Sequence, residues 1–177
     1  MKYTVLGKTG LRVSRVGFGG IPIQRVSEKT AVEVLHAAFA EGVNFIDTAA
    51  GYGDSQRKIG SAIRDLKRAD LVIASKSPKA DAREVLLDIR KALSELGTEY
   101  IDLYQLHGVN SQEKWNRIRA GGGALEGLRR AKNEGMIRHI GFSSHSLALA
   151  LELIEVTEFA TIPFPFNLVT REPSERL

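Results

Sequence analysis

The segment VGFGGIPI, residues 16–23, decides between the two folds that the rest of the sequence allows. It opens a repeating pattern of strand-like and helix-like segments, so its end is the first strand-to-helix junction. An open sheet that binds dinucleotides carries G-x-G-x-x-G at this junction. The stretch GFGGIP, residues 17–22, has the first two glycines but Pro22 in place of the third. The sequence therefore favours a barrel of βα units over an open doubly wound sheet.

Strand-like runs recur about every 30 residues after this segment, with a helix-like segment between them, which is typical of a parallel sheet. The predicted strands are residues 16–23, 44–48, 70–76, 100–106, 137–144 and 160–166. The predicted helices are residues 27–42, 54–67, 81–96, 124–135 and a segment beginning near Ser146. A hairpin with strands at residues 3–6 and 11–14 precedes the repeats, and a polar insertion surrounds Trp115.

The chain length predicts an incomplete barrel. Eight βα units need about 250 residues, whereas this chain has 177. We therefore expect residues 1–177 to form one α/β domain, an incomplete (β/α)8 TIM barrel that has the hairpin and six βα units and lacks the last two. The first and sixth strands of such a sheet have exposed edges, and exposed edges invite pairing with another chain. Self-association through these edges is a further expectation.

Composition excludes several classes of function. The formal net charge of +4 is spread along the chain rather than gathered in a block, so nucleic-acid binding is not expected. The chain has no cysteine, which excludes disulfides, thiolate nucleophiles and zinc–thiolate sites. The N-terminus lacks the apolar stretch of a secretory signal, and no apolar run approaches the roughly 20 residues that cross a bilayer. We expect a cytoplasmic protein that does not bind membranes.

Four polar residues stand at the ends of three successive predicted strands. Asp47 and Tyr52 lie in NFIDTAAGYG (44–53), Lys76 in LVIASKSP (71–78) and His107 in YIDLYQLHG (100–108). Catalytic groups of parallel sheets gather at the carboxyl ends of the strands. Reduction of a carbonyl by hydride needs a proton donor and stabilisation of the developing oxyanion. Tyr52 can donate the proton, and we expect the Lys76 ammonium, with Asp47 as its counter-charge, to lower the pKa of the phenol.

The segments FIDTAAGYGDS, ASKSP, IDLYQLH and GMIRHIGFSSHS together resemble the aldo-keto reductases, in order and over nearly the whole chain. The resemblance implies a (β/α)8 barrel that binds NADPH, or alternatively NADH, without a Rossmann fold. It also implies that Asp47, Tyr52, Lys76 and His107 form a catalytic tetrad with Tyr52 as general acid. The substrate would be a small aldehyde or ketone.

The resemblance extends to cofactor contacts. Ser143 and Ser144 match the pair that holds the nicotinamide carboxamide, and PFPFN (163–167), ending in Asn167, resembles the strand-six motif beneath the nicotinamide. Pro163 stands where most members have Gln, as a non-Gln residue does in one ferredoxin-associated branch. Gly20 has two interpretations, close approach of the backbone to the cofactor or tight barrel packing.

Several alternatives remain open at this stage. A non-catalytic fragment, or a ligand-binding subunit that keeps the tetrad without a complete cofactor site, is the second functional hypothesis. His36 and His139 have no neighbours at metal-ligand spacing, so structural roles and no metal are expected. His145 is interpreted as a loop residue. Trp115 either lines the substrate mouth or anchors the insertion.

Overall fold

The computed structural model describes residues 1–169, 171 and 173, and it consists of alternating strands and helices. The strands are β1 (Tyr3–Val5), β2 (Arg12–Ser14), β3 (Phe18–Gly19), β4 (Phe45–Asp47), β5 (Val72–Ser77), β6 (Ile101–Leu106), β7 (Ile137–Phe142) and β8 (Phe159–Thr161). The helices are α1 (Glu28–Ala40), α2 (Ser55–Ile63), α3 (Ala82–Leu96), α4 (Gln112–Arg119), α5 (Ala124–Asn133) and α6 (Leu147–Leu153). Two 3-10 turns, Pro22–Arg25 and Arg68–Asp70, complete the described elements.

The main sheet is parallel and has the order β3-β4-β5-β6-β7-β8. Each strand therefore pairs with the next strand along the chain, and the order never reverses. A doubly wound sheet requires such a reversal, whereas a βα barrel does not. The predicted α/β class, with a barrel-type sheet, is confirmed.

The predicted hairpin is also present, as the antiparallel pair of β1 and β2. The backbone N–H of Ser14, the last residue of β2, donates to the side chain of Asn44, which precedes β4. The hairpin therefore lies at the amino ends of the parallel strands. Its turn also reaches the last strand, because the N–H of Lys8 donates to the carbonyl of Ala160 over 2.9 Å.

Helices α1 and α3 begin at capping side chains, whereas α2, predicted for residues 54–67, has no side-chain cap and ends at Ile63. The Ser27 hydroxyl accepts from the N–H of Thr30 at the start of α1, and the Asp81 carboxylate accepts from the N–H groups of Arg83 and Glu84 in α3. Gly97 ends α3 in a left-handed conformation with φ of 63°. The inward stripe of α3 packs on the sheet, so the helix buries one face and leaves the other to solvent.

The polar insertion contains a helix that the sequence did not predict, α4. Ser111 caps it, and its two apolar side chains, Trp115 and Ile118, are buried one turn apart. The Trp115 ring packs on Phe159 of β8, with 5.9 Å between ring centroids. Trp115 therefore anchors the insertion, which decides between the two roles considered for it.

The first and last strands of the sheet are shorter than predicted. Residues 16–23 were expected to form one strand, but β3 covers only Phe18 and Gly19 before the chain turns into a 3-10 helix that begins at Pro22. Residues 160–166 were expected to form the sixth strand, but β8 ends at Thr161. Pro163 and Pro165 lack the N–H that a ladder needs, which accounts for the early end.

Within the described residues, β3 and β8 each have one strand neighbour in the sheet. Self-association through these edges stays a prediction, as do the single-domain boundary at residues 1–177 and the lack of two βα units. No helix in residues 1–169 combines the length and apolar character needed to cross a membrane.

Helices α2 and α3 approach closely at Gly60, which gives a test of this packing. A methyl group on Gly60 would overlap the carbonyl oxygen of Glu95 and lie 3.0 Å from Cα of Leu96. We expect Gly60→Ala to lower the free energy of unfolding by about 2 kcal/mol, measured by urea denaturation, because the helices must separate.

Gly121→Ala is the matched control, since nothing lies within 4 Å of the added methyl group. Its free energy of unfolding should stay within about 0.5 kcal/mol of the unaltered chain. Equal stability of the two variants would contradict the close approach of α2 and α3.

Candidate active site

Three of the four predicted tetrad residues lie at the carboxyl edge of neighbouring strands. Asp47 ends β4, Lys76 is the penultimate residue of β5, and His107 directly follows β6. The parallel register pairs Asp47 with Ala74, so the carboxylate and the Lys76 side chain, two residues further along β5, lie on one side of the sheet. Tyr52 lies in the loop between β4 and α2.

The loop that carries Tyr52 is held by its own backbone. The N–H of Tyr52 donates to the carbonyl of Ala49 over 3.0 Å, and the Tyr52 carbonyl accepts from the N–H of Ser55 at the start of α2. At the start of the loop, the N–H of Ala50 donates to the carbonyl of Lys76 over 2.8 Å. The phenol is therefore presented by a tight turn fastened to the end of β5.

Lys76 forms the central ion pair of the site. Its Nζ lies 2.6 Å from Oδ2 of Asp47 and donates to the carbonyl of Thr48 over 2.7 Å. Lys76 is only 4% exposed. The Asp47 carboxylate also accepts a longer hydrogen bond, 3.3 Å, from Nε2 of Gln105 on β6. The ion pair thus joins β4 to β5 and has a third partner on β6.

Tyr52 is in contact with two of the other three members of the tetrad. Nζ of Lys76 lies 4.9 Å from the centroid of the Tyr52 ring. The His107 ring meets the Tyr52 ring edge-on, with 5.8 Å between centroids and 83° between planes. The structure therefore brings all four predicted residues together.

The pKa of Tyr52 moves against the sequence-based expectation. We expected Lys76 to lower it, but burial, with a smaller effect of the Asp47 charge, raises it. The geometry explains this outcome, because the ammonium faces the flat side of the ring and is already paired with Asp47. The protonated phenol is therefore the favoured form in the protein as it stands. Burial also lowers the pKa of Lys76, although the Asp47 charge and hydrogen bond oppose the effect.

His107 is biased towards its neutral form. Burial lowers its pKa, and the nearby charges of Lys76 and Lys114 act in the same direction, while Asp47 acts against them. A neutral imidazole keeps one N–H donor and one acceptor nitrogen. His107 can therefore donate a hydrogen bond without supplying charge.

The predicted cofactor serines lie beside His107 and are already bonded to its segment. Oγ of Ser143 accepts from the N–H of Gly108 over 2.9 Å. Oγ of Ser144, which is 1% exposed, donates to the carbonyl of Val109 over 2.7 Å and accepts from the N–H of Ser146. Ser143 is half-buried and its hydroxyl hydrogen is not used by the bond to Gly108. Ser143 is thus the better placed of the two to bind a ligand.

Gly20 lies at the same edge, where its N–H donates to the carbonyl of Asp47 over 2.8 Å. A methyl group on Gly20 would lie 2.6 Å from Oγ of Ser55 and 3.1 Å from the carbonyl of Asp47. This close approach supports the packing interpretation of Gly20, and its contact with a cofactor stays a prediction. Asn167 is exposed, and its Oδ1 accepts from the N–H of Val169 over 2.9 Å.

A cavity of about 340 Å³ opens between β3 and β8, next to Asp47. Gln105 and Thr161 line it. Among the described residues, Oε1 of Gln105 and Oγ1 of Thr161 are buried polar atoms without a hydrogen-bond partner. Sequence reasoning missed both residues, although a glutamine within the apolar run YIDLYQL was a detectable signal. A larger cavity, about 900 Å³, lies between α2 and α3, and no tetrad residue lines it.

The other histidines have the structural surroundings that the sequence suggested. Nε2 of His36 lies 2.8 Å from the carbonyl of Ala62. His139 lies in β7, and its pKa is lowered chiefly by burial. Across the part of the chain that the structure describes, no group of three or more His, Asp or Glu side chains is arranged to hold a metal ion.

Comparison with known proteins identifies one family. The model of the Aldo/keto reductase family matches residues 15–177. Aldo-keto reductase YhdN of Bacillus subtilis (strain 168) is 31% identical over 99% of this chain and 56% of its own length. L-galactose dehydrogenase of Arabidopsis thaliana is 32% identical over 78% of this chain and 47% of its own length. The chain thus spans about half the length of these two relatives.

Solved structures give the same result for the fold. The holo form of aldo-keto reductase AKR11C1 from Bacillus halodurans superposes with a TM-score of 0.86 at 26% identity, covering 99% of this chain and 61% of that one. The thermostable aldo-keto reductase Tm1743, in complex with the inhibitor epalrestat, gives a TM-score of 0.85 at 29% identity, covering 99% and 66%. The resemblance and the fold class predicted from the sequence are confirmed.

The ion pair predicts an asymmetry between its two partners. The Lys76 side chain is 5% exposed, whereas that of Asp47 is 31% exposed. Asp47→Asn leaves a buried ammonium without its counter-charge, while Lys76→Met leaves a carboxylate that water can reach. We expect Asp47→Asn to lower the free energy of unfolding by about 2 kcal/mol more than Lys76→Met, measured by urea denaturation at pH 7.

The double variant Asp47→Asn/Lys76→Met is the control, because it removes the buried charge together with its partner. It should be more stable than Asp47→Asn alone. If the two single variants lost equal stability and the double variant lost their sum, the ion pair would not have the assigned role.

Proposed function

The chain belongs to the aldo/keto reductase family, and we propose that it reduces aldehydes or ketones to alcohols with a hydride from a nicotinamide cofactor. The observation that carries the proposal is the contact of Tyr52 with both Lys76 and His107 at the carboxyl edge of the sheet. Because the chain spans about half the length of its relatives, the activity, cofactor and substrate class are all part of the proposal.

In the proposed reaction, Tyr52 is the general acid. Hydride addition to the carbonyl carbon places negative charge on the oxygen, and the Tyr52 hydroxyl donates its proton there. The raised pKa of Tyr52 supports this role, because the phenol keeps its proton until the carbonyl oxygen becomes basic. His107, as a neutral imidazole, donates a hydrogen bond that orients the carbonyl.

Lys76 and Asp47 position the phenol and stabilise the charge that it acquires. After proton transfer the tyrosinate lies beside the Lys76 ammonium, whose charge lowers the energy of the anion. Asp47 holds that ammonium through the 2.6 Å contact and so fixes it beneath the ring. The pair therefore contributes most when the phenol has lost its proton, which is when catalysis needs it.

The residues around the tetrad fit the nicotinamide end of NADPH or NADH, which would supply the hydride. The cavity beside Asp47 is lined by the buried, unpartnered polar atoms of Gln105 and Thr161. Ser143 keeps a hydroxyl hydrogen for a carboxamide oxygen. We assign Ser143, Ser144, Asn167 and Gly20 as the cofactor-binding residues, with NADPH preferred and NADH as the alternative. The relative from Bacillus halodurans, solved in a holo form, supports the assignment of a cofactor.

A second candidate function is that of a non-catalytic, ligand-binding subunit that retains the tetrad. Ser144, one of the predicted cofactor contacts, is 1% exposed and its hydroxyl already donates to the carbonyl of Val109, which favours this candidate. The two candidates differ in turnover and in cofactor affinity, and both quantities can be measured.

Replacement of the phenol tests the first candidate. We expect Tyr52→Phe to lower kcat/KM for NADPH-dependent reduction of a reactive aromatic aldehyde by about 10²- to 10⁴-fold, because only the proton donor is removed. The affinity for NADPH should not change. Tyr100→Phe is the matched control, since Tyr100 lies before the other end of β6 and its ring contacts with Arg68 and Arg138 do not need the hydroxyl. Tyr100→Phe should keep the activity of the unaltered chain, and equal turnover in Tyr52→Phe and Tyr100→Phe would rule out the assigned acid.

Cofactor titration separates the two candidates. We expect the unaltered chain to bind NADPH more tightly than NADH, measured by isothermal calorimetry and by the fluorescence of the reduced cofactor. Ser143→Ala should weaken binding of both cofactors by about tenfold, because it removes one hydrogen bond of about 1.4 kcal/mol. Binding without turnover would favour the ligand-binding candidate, and no binding of either cofactor would refute the proposed reduction by this chain.

A further inference from the structure

The short segment that carries His107 has nearly all of its backbone groups paired. Its N–H groups donate to the ends of the two neighbouring strands. The N–H of His107 donates to the carbonyl of Ser77. The N–H of Gly108 donates to Oγ of Ser143, and that of Val109 donates to the carbonyl of Ser143. Gly108 adopts φ of +66°, a conformation that few other residues could take. The segment therefore has one preferred path as it leaves β6.

The carbonyls of the same segment are bound by a lysine from α4. Nζ of Lys114 donates to the carbonyl of His107 over 2.7 Å and to that of Gly108 over 3.1 Å. Buried carbonyls need partners as much as N–H groups do, and here a single ammonium supplies both. Lys114 is half-buried, and burial lowers its pKa. Nothing in the proposed reaction yet uses this lysine.

We propose that Lys114 is a positioning residue for the proposed carbonyl reduction: its ammonium fastens the backbone of His107 and Gly108 to α4 and so fixes the imidazole against Tyr52. The effect on catalysis rests on the proposed function, whereas the bonds from Lys114 to the two carbonyls do not depend on it. The imidazole meets the Tyr52 ring edge-on at 5.8 Å, so a shift of the His107 backbone would change the angle at which it reaches a carbonyl.

The charge of Lys114 has a second effect on the same ring. The charged and titratable groups that face His107 are Tyr52 from the loop after β4, together with Lys76 from β5, Asp47 from β4, His145 from the loop after β7 and Lys114 from α4. The charges of Lys76, Lys114 and His145 lower the pKa of His107, and that of Asp47 raises it. Removal of Lys114 takes away one opposing charge, so the pKa of His107 must rise. As the pH falls, His107 would then become protonated at a higher pH than in the unaltered chain. The neutral form that is proposed to orient the carbonyl would be lost there.

The test compares Lys114→Met with Arg117→Met. Arg117 is exposed and lies one turn further along α4. The control therefore removes a positive charge from the same helix and leaves the bonds to the carbonyls of His107 and Gly108 in place. For Lys114→Met we expect an upward shift of the His107 pKa by NMR titration, faster exchange of the backbone amides of residues 107–109, and a roughly tenfold fall in kcat/KM, mostly in kcat. Arg117→Met should match the unaltered chain in all three measurements, and Lys114→Arg should restore most of the activity.

An unchanged His107 pKa together with unchanged amide exchange in Lys114→Met would overturn the proposal, as would equal effects of Arg117→Met. A loss of stability without these two changes would show a merely structural lysine and would also overturn it. If Lys114→Met does not fold, Lys114→Gln, which keeps an N–H donor without the charge, undergoes the same titration. If no form of the chain reduces aldehydes, the proposed function fails, while the titration and the amide exchange still decide the role of Lys114.

Discussion

The ion pair between Lys76 and Asp47 is the interaction on which the arrangement of the site depends. The charge of a lysine that is only 4% exposed is strongly unfavourable without a counter-charge, and the pair forms only because β4 and β5 are adjacent and parallel. The same ammonium binds the carbonyl of Thr48, at the start of the loop that presents Tyr52. The strand order therefore places this charge, and the charge in turn holds the start of the loop that presents the phenol.

That placement also determines the protonation state of the site. Because Lys76 faces the ring of Tyr52 and is neutralised by Asp47, burial prevails and raises the pKa of the phenol. Burial and neighbouring cations lower the pKa of His107. The protein thus holds a neutral acid and a neutral hydrogen-bond donor beside one internally compensated ion pair. These uncharged hydrogen-bonding groups fit the neutral carbonyl substrate that we propose.

The sequence predicted the features that depend on local residue patterns and missed those that depend on how side chains meet in three dimensions. Asp47, Lys76 and His107 could be located because each stands at the end of a strand, and β5 and β6 are buried along their whole length. Helix α4 was missed because it has only two apolar residues, too few to produce a helical period. The direction of the Tyr52 pKa shift was wrong because the types of neighbouring residue do not reveal that the ammonium faces the ring rather than the hydroxyl.

Helix α4 links the packing of the last described strand to the geometry of the site. The ring of Trp115 packs on Phe159 of β8, and the ring centroid of Phe159 lies 4.8 Å from that of Phe142 on β7. These apolar contacts fix the helix. The preceding residue, Lys114, then has its ammonium within bonding distance of the His107 carbonyl. Ordering a lysine side chain costs up to about 2 kcal/mol, whereas hydrogen bonds from a charged group contribute about 1.5–3 kcal/mol each. Two such bonds exceed the cost of ordering the side chain, but not that of ordering the 8 residues of α4, at about 1–2 kcal/mol per residue. The buried tryptophan, which fixes the helix, is therefore a precondition for the contact that holds His107.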